Sequence, residues 1–243
     1  MNRDKDNAAL TRAGPLAWRA GAGWLILAGG GSWRAGYLDD VNAAALGWAD
    51  LDRPVAVLPT AGGSTLEAEA LLEDYVDLGA PSGYVVPLFD PVGAQQPETC
   101  DLIEDAGLIV IDDGPELITL VRSVRESPAM GAMIRAFEGG TTILGMGAGA
   151  SALGAWVAET DTKEVDVTRA EPGLGWLTNI IVAPHFEGTE DAHRLQQLLN
   201  QKRDCLGIGI PEGVGLGLGP FSEVENVGSG QVTVVVSGLE IEV

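Results

Sequence analysis

At 243 residues, 46% of them hydrophobic, the chain is long enough to fill a substantial core, which excludes wholesale disorder. Its 14 basic residues against 35 acidic ones leave a net charge of −21, and only Lys5, Lys163 and Lys202 of the basic set are lysines. A chain so acidic repels a nucleic-acid backbone and an anionic membrane, so neither is expected as a partner. The same charge serves solubility or, more specifically, attracts a basic substrate.

No apolar run reaches the roughly 18 residues that a membrane span needs. The opening stretch "MNRDKDNAALTRAGPLAW" mixes charges and has no apolar h-region, so a cytoplasmic location is expected. Cys100 and Cys205 are far apart and fit neither a disulfide framework nor a zinc site. With His185 and His193 the only histidines, and no EF-hand spacing, no metal or cofactor is expected.

Residues 1 to about 22 read as a loosely attached lead-in, and 23–243 as a single domain. The runs "WLILAG", "PVAVLP", "GYVVPL", "GLIVID" and "TTILGM" (the first at Trp24, the last ending at Met146) are short, β-rich and apolar on both faces. A parallel sheet covered by helices requires such strands. Between them, "YLDDVNAAALGWADL", "STLEAEALLEDYVDLG" and "PELITLVRSVRES" carry apolar residues at helical spacing. Ser64 followed by Glu67 predicts a capping box at the second of these helices. Further on, "TEDAHRLQQLLNQKRD" predicts one more helix. It is followed by "LGIGIP", "GVGLGLG", "SEVENVG", "GQVTVVVSG" and "LEIEV", short strands between glycine turns that suggest an antiparallel extension. Alternating strand and helix predict an α/β fold, a doubly wound, mostly parallel sheet in a three-layer sandwich.

Ligands of open α/β sheets bind beyond the carboxyl ends of the strands. Four turns converge there: "GGGS" (Gly29 to Ser32), "TAGGS" (Thr60 to Ser64), "DDGPE" (Asp112 to Glu116) and "GMGAGAS" (Gly145 to Ser151).

The order of these turns resembles the cyanophycinase and peptidase E (aspartyl dipeptidase) family of serine peptidases. That family shares a flavodoxin- or glutamine-amidotransferase-like fold. "LILAGGG" and "PTAGGS" match its early segments, and "GMGAGA" stands where the family has Gly-x-Ser-Ala-Gly-Ala. "GLGWLTNIIVAPHF" is similar to its segment ending in His-Phe, and "GIGIPEGVGLGLG" to its Gly-Ile-Gly-Ile-Asp-Glu segment. The resemblance implies a serine nucleophile, a histidine base and an orienting acid. The histidine falls on His185 and the acid on Glu212, a retained or vestigial pair, but the serine falls on Gly147, which offers no hydroxyl.

Two further departures accompany that one. The family's Gly-Gly-Asp/Asn-Gln turn, which serves the oxyanion and the substrate, falls here on Asp113, Gly114, Pro115 and Glu116, with Ala148 facing it after the elbow. An ionised Asp113 or Glu116 opposes a developing oxyanion. The basic positions expected after His-Phe fall on Thr189 and Asp191, leaving only Arg194 as a substrate-binding candidate. Glycine at an elbow tip also relieves a strain of about 1–3 kcal/mol that a residue with a Cβ carries there.

Other residues leave alternatives open. Ser151, about one turn past the tip, is either a displaced nucleophile or a small residue packing helix on sheet. Ser32 and Ser64 read as caps or turn residues, and His193 as an exposed helix residue. Asp112, Asp113 and Glu116 bind a cation or a basic ligand, or are solvated acids at a helix start. "GMGAGA" also matches a dinucleotide-binding pattern, which makes Gly145 to Ser151 a nucleotide- or anion-binding candidate. Three functions follow: a catalytically silent homologue acting by binding or assembly, a hydrolase of Asp-containing or β-aspartyl peptides using His185 and Glu212, and a nucleotide or anion module. The expected partners are a small peptide or another small molecule and, from the resemblance, a second copy in a homodimer.

Overall fold

The computed structural model describes residues 9–59, 61–160 and 168–237. In chain order it contains β1 (Leu10–Ala13), β2 (Leu16–Arg19), β3 (Leu25–Ala28), α1 (Asp39–Trp48), β4 (Val55–Leu58), α2 (Thr65–Asp77) and β5 (Gly83–Val85). There follow α3 (Pro97–Asp105), β6 (Leu108–Ile111), α4 (Leu117–Val124), α5 (Pro128–Glu138), β7 (Thr142–Met146) and α6 (Ala148–Ala152). The last third holds β8 (Trp156–Thr160), β9 (Thr168–Pro172), β10 (Ile180–Ala183), α7 (Thr189–Gln201), β11 (Leu206–Gly209), β12 (Gly215–Leu218), β13 (Val224–Val227) and β14 (Thr233–Val236).

The five apolar runs become β3 to β7 and lie in one sheet of order β13-β12-β3-β7-β6-β4-β5, parallel from β3 through to β5. Their two-sided apolarity has a direct use. Leu25 and Leu27 of β3 and Ile109 and Ile111 of β6 face a cluster built with α4, α5 and the second sheet. Their alternates Ile26, Ala28, Leu108 and Val110 face Val41, Leu46, Leu71 and Tyr75 of α1 and α2. Neighbouring side chains of a strand point to opposite faces, so a sheet covered on both sides needs this sequence. The capping box forms as expected: Ser64 Oγ accepts from the Glu67 amide while Glu67 accepts from the Ser64 amide at 3.0 Å.

The expected C-terminal extension divides in two. β12 pairs antiparallel with β3, and β13 with β12, lengthening the main sheet. β10 and β11 instead run parallel in a second sheet of order β14-β11-β10-β8-β9, because α7 carries the chain back between them. α3 and α5, absent from the sequence reading, each begin with proline at their first turn, and Ser127 caps α5. The expected strand at Leu239 to Val243, and Thr60 of the second turn, lie outside the described residues.

Residues 10–19, read as a loose lead-in, form a hairpin that closes onto the core. Trp18 is fully buried, bridges Leu177, and joins the cluster of Phe137 and Trp176, whose rings meet edge to face at 5.2 Å. Ala17 is buried beside Trp18, Ala13 and Leu16 pack on the same cluster, and backbone bonds from Arg19 to Trp176 and from Thr178 to Ala17 fasten the hairpin down. Replacing Trp18 with Ala is expected to lower unfolding stability by about 3–5 kcal/mol in chemical denaturation, the cost of emptying an aromatic core site. A loss under about 1 kcal/mol, typical of surface positions, contradicts the docking.

Candidate functional site

β7 ends at Met146, Gly147 takes φ 49° and ψ −113°, and α6 starts at once. This is a nucleophile elbow in backbone form. The other glycines of the turn serve close packing: a Cβ on Gly145 would strike the backbone of Gly149 and Ala150, and one on Gly149 the carbonyl of Ile111. At Gly147 the obstacle is different. A Cβ there would fall inside the carboxyl group of Asp113, which therefore occupies the volume of the absent side chain.

Asp113 stands at the end of the neighbouring strand β6, and its carboxylate is held on both oxygens. Oδ1 accepts from the amides of Gly114 and Ala148, each at 2.8 Å. Oδ2 lies 3.0 Å from His185 Nε2, and His185 Nδ1 lies 2.9 Å from Glu212 Oε1. The structure thus brings together Asp113, Gly114, Gly147, Ala148, His185 and Glu212. The two amides are placed as an oxyanion hole would be, beside the elbow, and a carboxylate of the protein fills them.

Local backbone fixes this arrangement. His185 follows β10 with φ 49°, a left-handed conformation uncommon for a side-chain-bearing residue, and its amide donates to Gly29 O at 2.8 Å. Gly30, with φ 85°, lets the imidazole lie against the main chain where any Cβ would collide with it. Gly30 O in turn accepts from the amide of Gly213, the residue after Glu212. The "GGGS" turn after β3 is the seat of the His–Glu pair, joining the two sheets at the site.

The charges settle each other. The hydrogen bond to Asp113 is the largest cause that pushes His185 up to about 9, against the opposing effect of burial and with help from Glu212. Burial alone would raise Asp113, but the bonds from His185, Ala148 and Gly114 outweigh it and hold its carboxyl below the usual carboxylate range. At neutral pH the site is an imidazolium between two carboxylates. Its neighbour Asp112 is mostly buried, accepts from the Asp113 amide at 2.8 Å, and is pushed up to about 6 by that burial.

Of the other expected site residues, Ser151 and Arg194 line a cavity that reaches Asp113 and His185. Glu116 stands at the N-cap position of α4 without a side-chain capping bond and accepts from Thr119 Oγ1 at 2.8 Å. Arg194 pairs with Glu190 and with Asp191 on its own helix. Ser151 is buried one turn behind Gly147, and because both ring nitrogens of His185 are engaged it has no base. His193 is exposed on α7. Asp112, Asp113 and Glu116 turn to different partners, and no group of three His, Cys, Asp or Glu side chains is arranged to hold a metal ion among the described residues. Two cavities meet at Asp113, Gly114 and His185. One, of about 590 Å³, is lined also by Trp33, Arg34, Glu67 and Asp112; the other, of about 340 Å³, by Leu117, Ser151, Ile181 and Leu198.

The sequence profile of peptidase family S51 matches residues 25–218, most of the chain and every turn of this site. The chain belongs to peptidase family S51. It is similar to a cyanophycinase of Geminocystis herdmanii, 25% identical over 190 residues that cover 76% of this chain and 70% of that one. Its fold is that of a peptidase from an acI-B1 actinobacterium (TM-score 0.67, 22% identity, 91% of this chain and 97% of the other). A candidate peptidase E protein from Listeria monocytogenes EGD-e shares it as well (TM-score 0.55, 15% identity, 88% and 98% covered). This S51 chain differs from the pattern the resemblance implies at two places that touch in space. Where that pattern has glycine it has Asp113, and where the pattern has serine it has Gly147.

That pairing is the signal in the sequence that reading each position separately missed. Gly147→Ser should lower the thermal midpoint, since the new Cβ meets the Asp113 carboxyl, and adding Asp113→Gly should recover most of the loss. Additive losses would show the two positions to be independent. His185 gives a pH test. Its pKa is raised on folding, so its charge stabilises the fold fully below about 6.5, and this is lost as pH rises through about 9. The gap in thermal midpoint between the native chain and His185→Gln should be widest below pH 6.5 and close above 9.

Proposed function

We propose that this S51 protein has left serine peptidolysis behind and holds a small peptide or other small molecule in the cleft beside Asp113, His185 and Glu212. The observation that carries the reading is the Asp113 carboxylate lying in the side-chain volume of the elbow with its Oδ1 on both amides. Peptide cleavage needs a nucleophile at the tip, an empty hole for the carbonyl oxygen and a neutral base. Gly147 lacks the first, Asp113 fills the second, and an imidazolium replaces the third. Residues that in a working serine site differ in charge between steps are here locked in one ion triplet.

The hydrolase reading, in which His185 and Glu212 activate a water towards Asp-containing or β-aspartyl peptides, draws support from the pair being intact at 2.9 Å. It is the weaker reading for peptides, because the amides that would receive the peptide oxygen are already bonded to Asp113. A nucleotide module at Gly145 to Ser151 is weaker still: Gly145 and Gly149 are pressed against backbone, Gly147 against the Asp113 carboxyl, and the Ala148 amide is taken. Homodimerisation remains part of the proposal on the family resemblance, and a cytoplasmic setting on the charge-mixed opening stretch and the lack of a long apolar run.

Purified protein should leave β-aspartyl-arginine and aspartyl dipeptides uncleaved, as followed by chromatography. Gly147→Ser alone should stay inert and unlabelled by a fluorophosphonate, whereas Gly147→Ser with Asp113→Gly should acquire a label at residue 147. Cleavage by the native chain that is lost in His185→Ala overturns the reading.

A further inference from the structure

A carboxylate at the nucleophile's place differs from a serine in one respect: it brings its own carbonyl oxygen. Oδ1 of Asp113 already lies between the amides of Gly114 and Ala148, so these donors are matched to charge that develops on Asp113 itself and not on a substrate carbonyl. Attack on a saturated carbon produces no tetrahedral oxyanion and needs no empty hole. We propose that Asp113 is a nucleophile towards saturated electrophilic carbon, and that this site hydrolyses apolar-substituted epoxides through a hydroxyalkyl ester on Asp113 Oδ2. The inference rests on the reading that Asp113 has displaced the serine and adds to it a reaction and a substrate class.

In the first step an Oδ2 lone pair forms a bond to a ring carbon while the ring C–O bond breaks. The ring oxygen takes the Nε2 proton of His185, which is placed 3.0 Å from Oδ2 and is charged at neutral pH. An alkoxide is a poor leaving group without such an acid, which is why the resting imidazolium suits an epoxide. Esterification removes the negative charge whose hydrogen bond contributes most to holding His185 protonated. The imidazole is then neutral, oriented through Nδ1 by Glu212.

In the second step this imidazole takes a proton from a water whose oxygen bonds to Asp113 Cγ, and the negative charge collects on Oδ1 between the two amides. Collapse breaks the Cγ–Oδ2 bond, the departing alkoxide takes the proton from His185, and the new carboxyl returns its own proton to the imidazole. Epoxide plus water becomes a vicinal diol, and the carboxylate–imidazolium pair is restored. The two cavities suit the two reactants. The mostly apolar one, with Leu117, Ala158, Ile181, Leu195 and Leu198 and the paired Asp191 and Arg194 also on its wall, fits an apolar substituent, while the polar one, with Arg34, Glu67 and Asp112, admits water; both open on Asp113 and His185.

The mechanism leaves a mark on the protein. With native chain in excess over styrene oxide, in water enriched in the heavy oxygen isotope, one turnover should place heavy oxygen in the Asp113 carboxyl. The diol from that turnover should contain light oxygen. Mass spectrometry of the Asp113 peptide reads the shift. His185→Gln, which loses the acid of the first step as well as the base of the second, should place no heavy oxygen in Asp113, and Asp113→Asn, checked for folding by its thermal midpoint, should likewise give no diol and no label. Unlabelled Asp113 in the native chain, or label placed on another residue, overturns the inference and leaves the non-peptidase reading standing. Cleavage of aspartyl dipeptides by the native chain overturns both.

Discussion

A carboxylate gripped by two backbone amides and an imidazolium is the interaction around which this molecule is arranged. Asp113 reaches from the end of β6 into the corner at the end of β7, and the corner accepts it only because residue 147 has no side chain. Each charge-assisted bond of this kind contributes about 1.5–3 kcal/mol, enough together to overcome the cost of half-burying the carboxylate. The outcome is a site at rest, with its strongest donors and its only histidine already satisfied. Whatever the site does chemically starts from that ion triplet.

Everything near the site serves its geometry. Gly30 yields room for the imidazole, His185 accepts a left-handed backbone, and Glu212 is tied to the same glycine turn through the amide of Gly213. Strain of about 1–3 kcal/mol at such a residue persists only where surrounding contacts over-determine it. Here the bonds from the His185 amide to Gly29 and from Phe186 to Ile210 supply that constraint. The second sheet matters for this reason: it carries His185 and Glu212 to a site whose remaining parts sit on the first. Membership of peptidase family S51 accounts for the scaffold, and within it residues 113 and 147 meet where the family pattern implies a glycine and a serine.

Acidity acts locally as well as globally. The net charge of −21 leaves the cleft rich in carboxylates, with Asp112, Asp113, Glu67 and Glu212 close to one imidazolium and Arg34. Burial keeps Asp112 pushed up to about 6, so the charge of the polar cavity changes in mildly acidic solution. A group raised in this way opposes folding once ionised, and its stabilising effect as a neutral acid is lost as pH rises through that value.

Much of the fold was legible from local pattern. Apolar runs such as "LILA" and "LIVI" read as two-sided strands because side chains alternate across a sheet, and Ser64 with Glu67 read as a cap because both partners lie within one helical turn. The motif order also placed Gly147, His185 and Glu212 in one cleft. What local pattern could not show was the burial of Trp18, the division of the last third between two sheets, or the meeting of Asp113 with Gly147. These depend on residues distant in sequence becoming neighbours: 34 positions separate Asp113 from Gly147, and only β6 pairing beside β7 sets their side-chain positions face to face. The sequence by itself therefore determined which chemical groups the site possesses, since those are covalent. The tertiary structure alone decided which volume each one fills, since that is a matter of packing across strands.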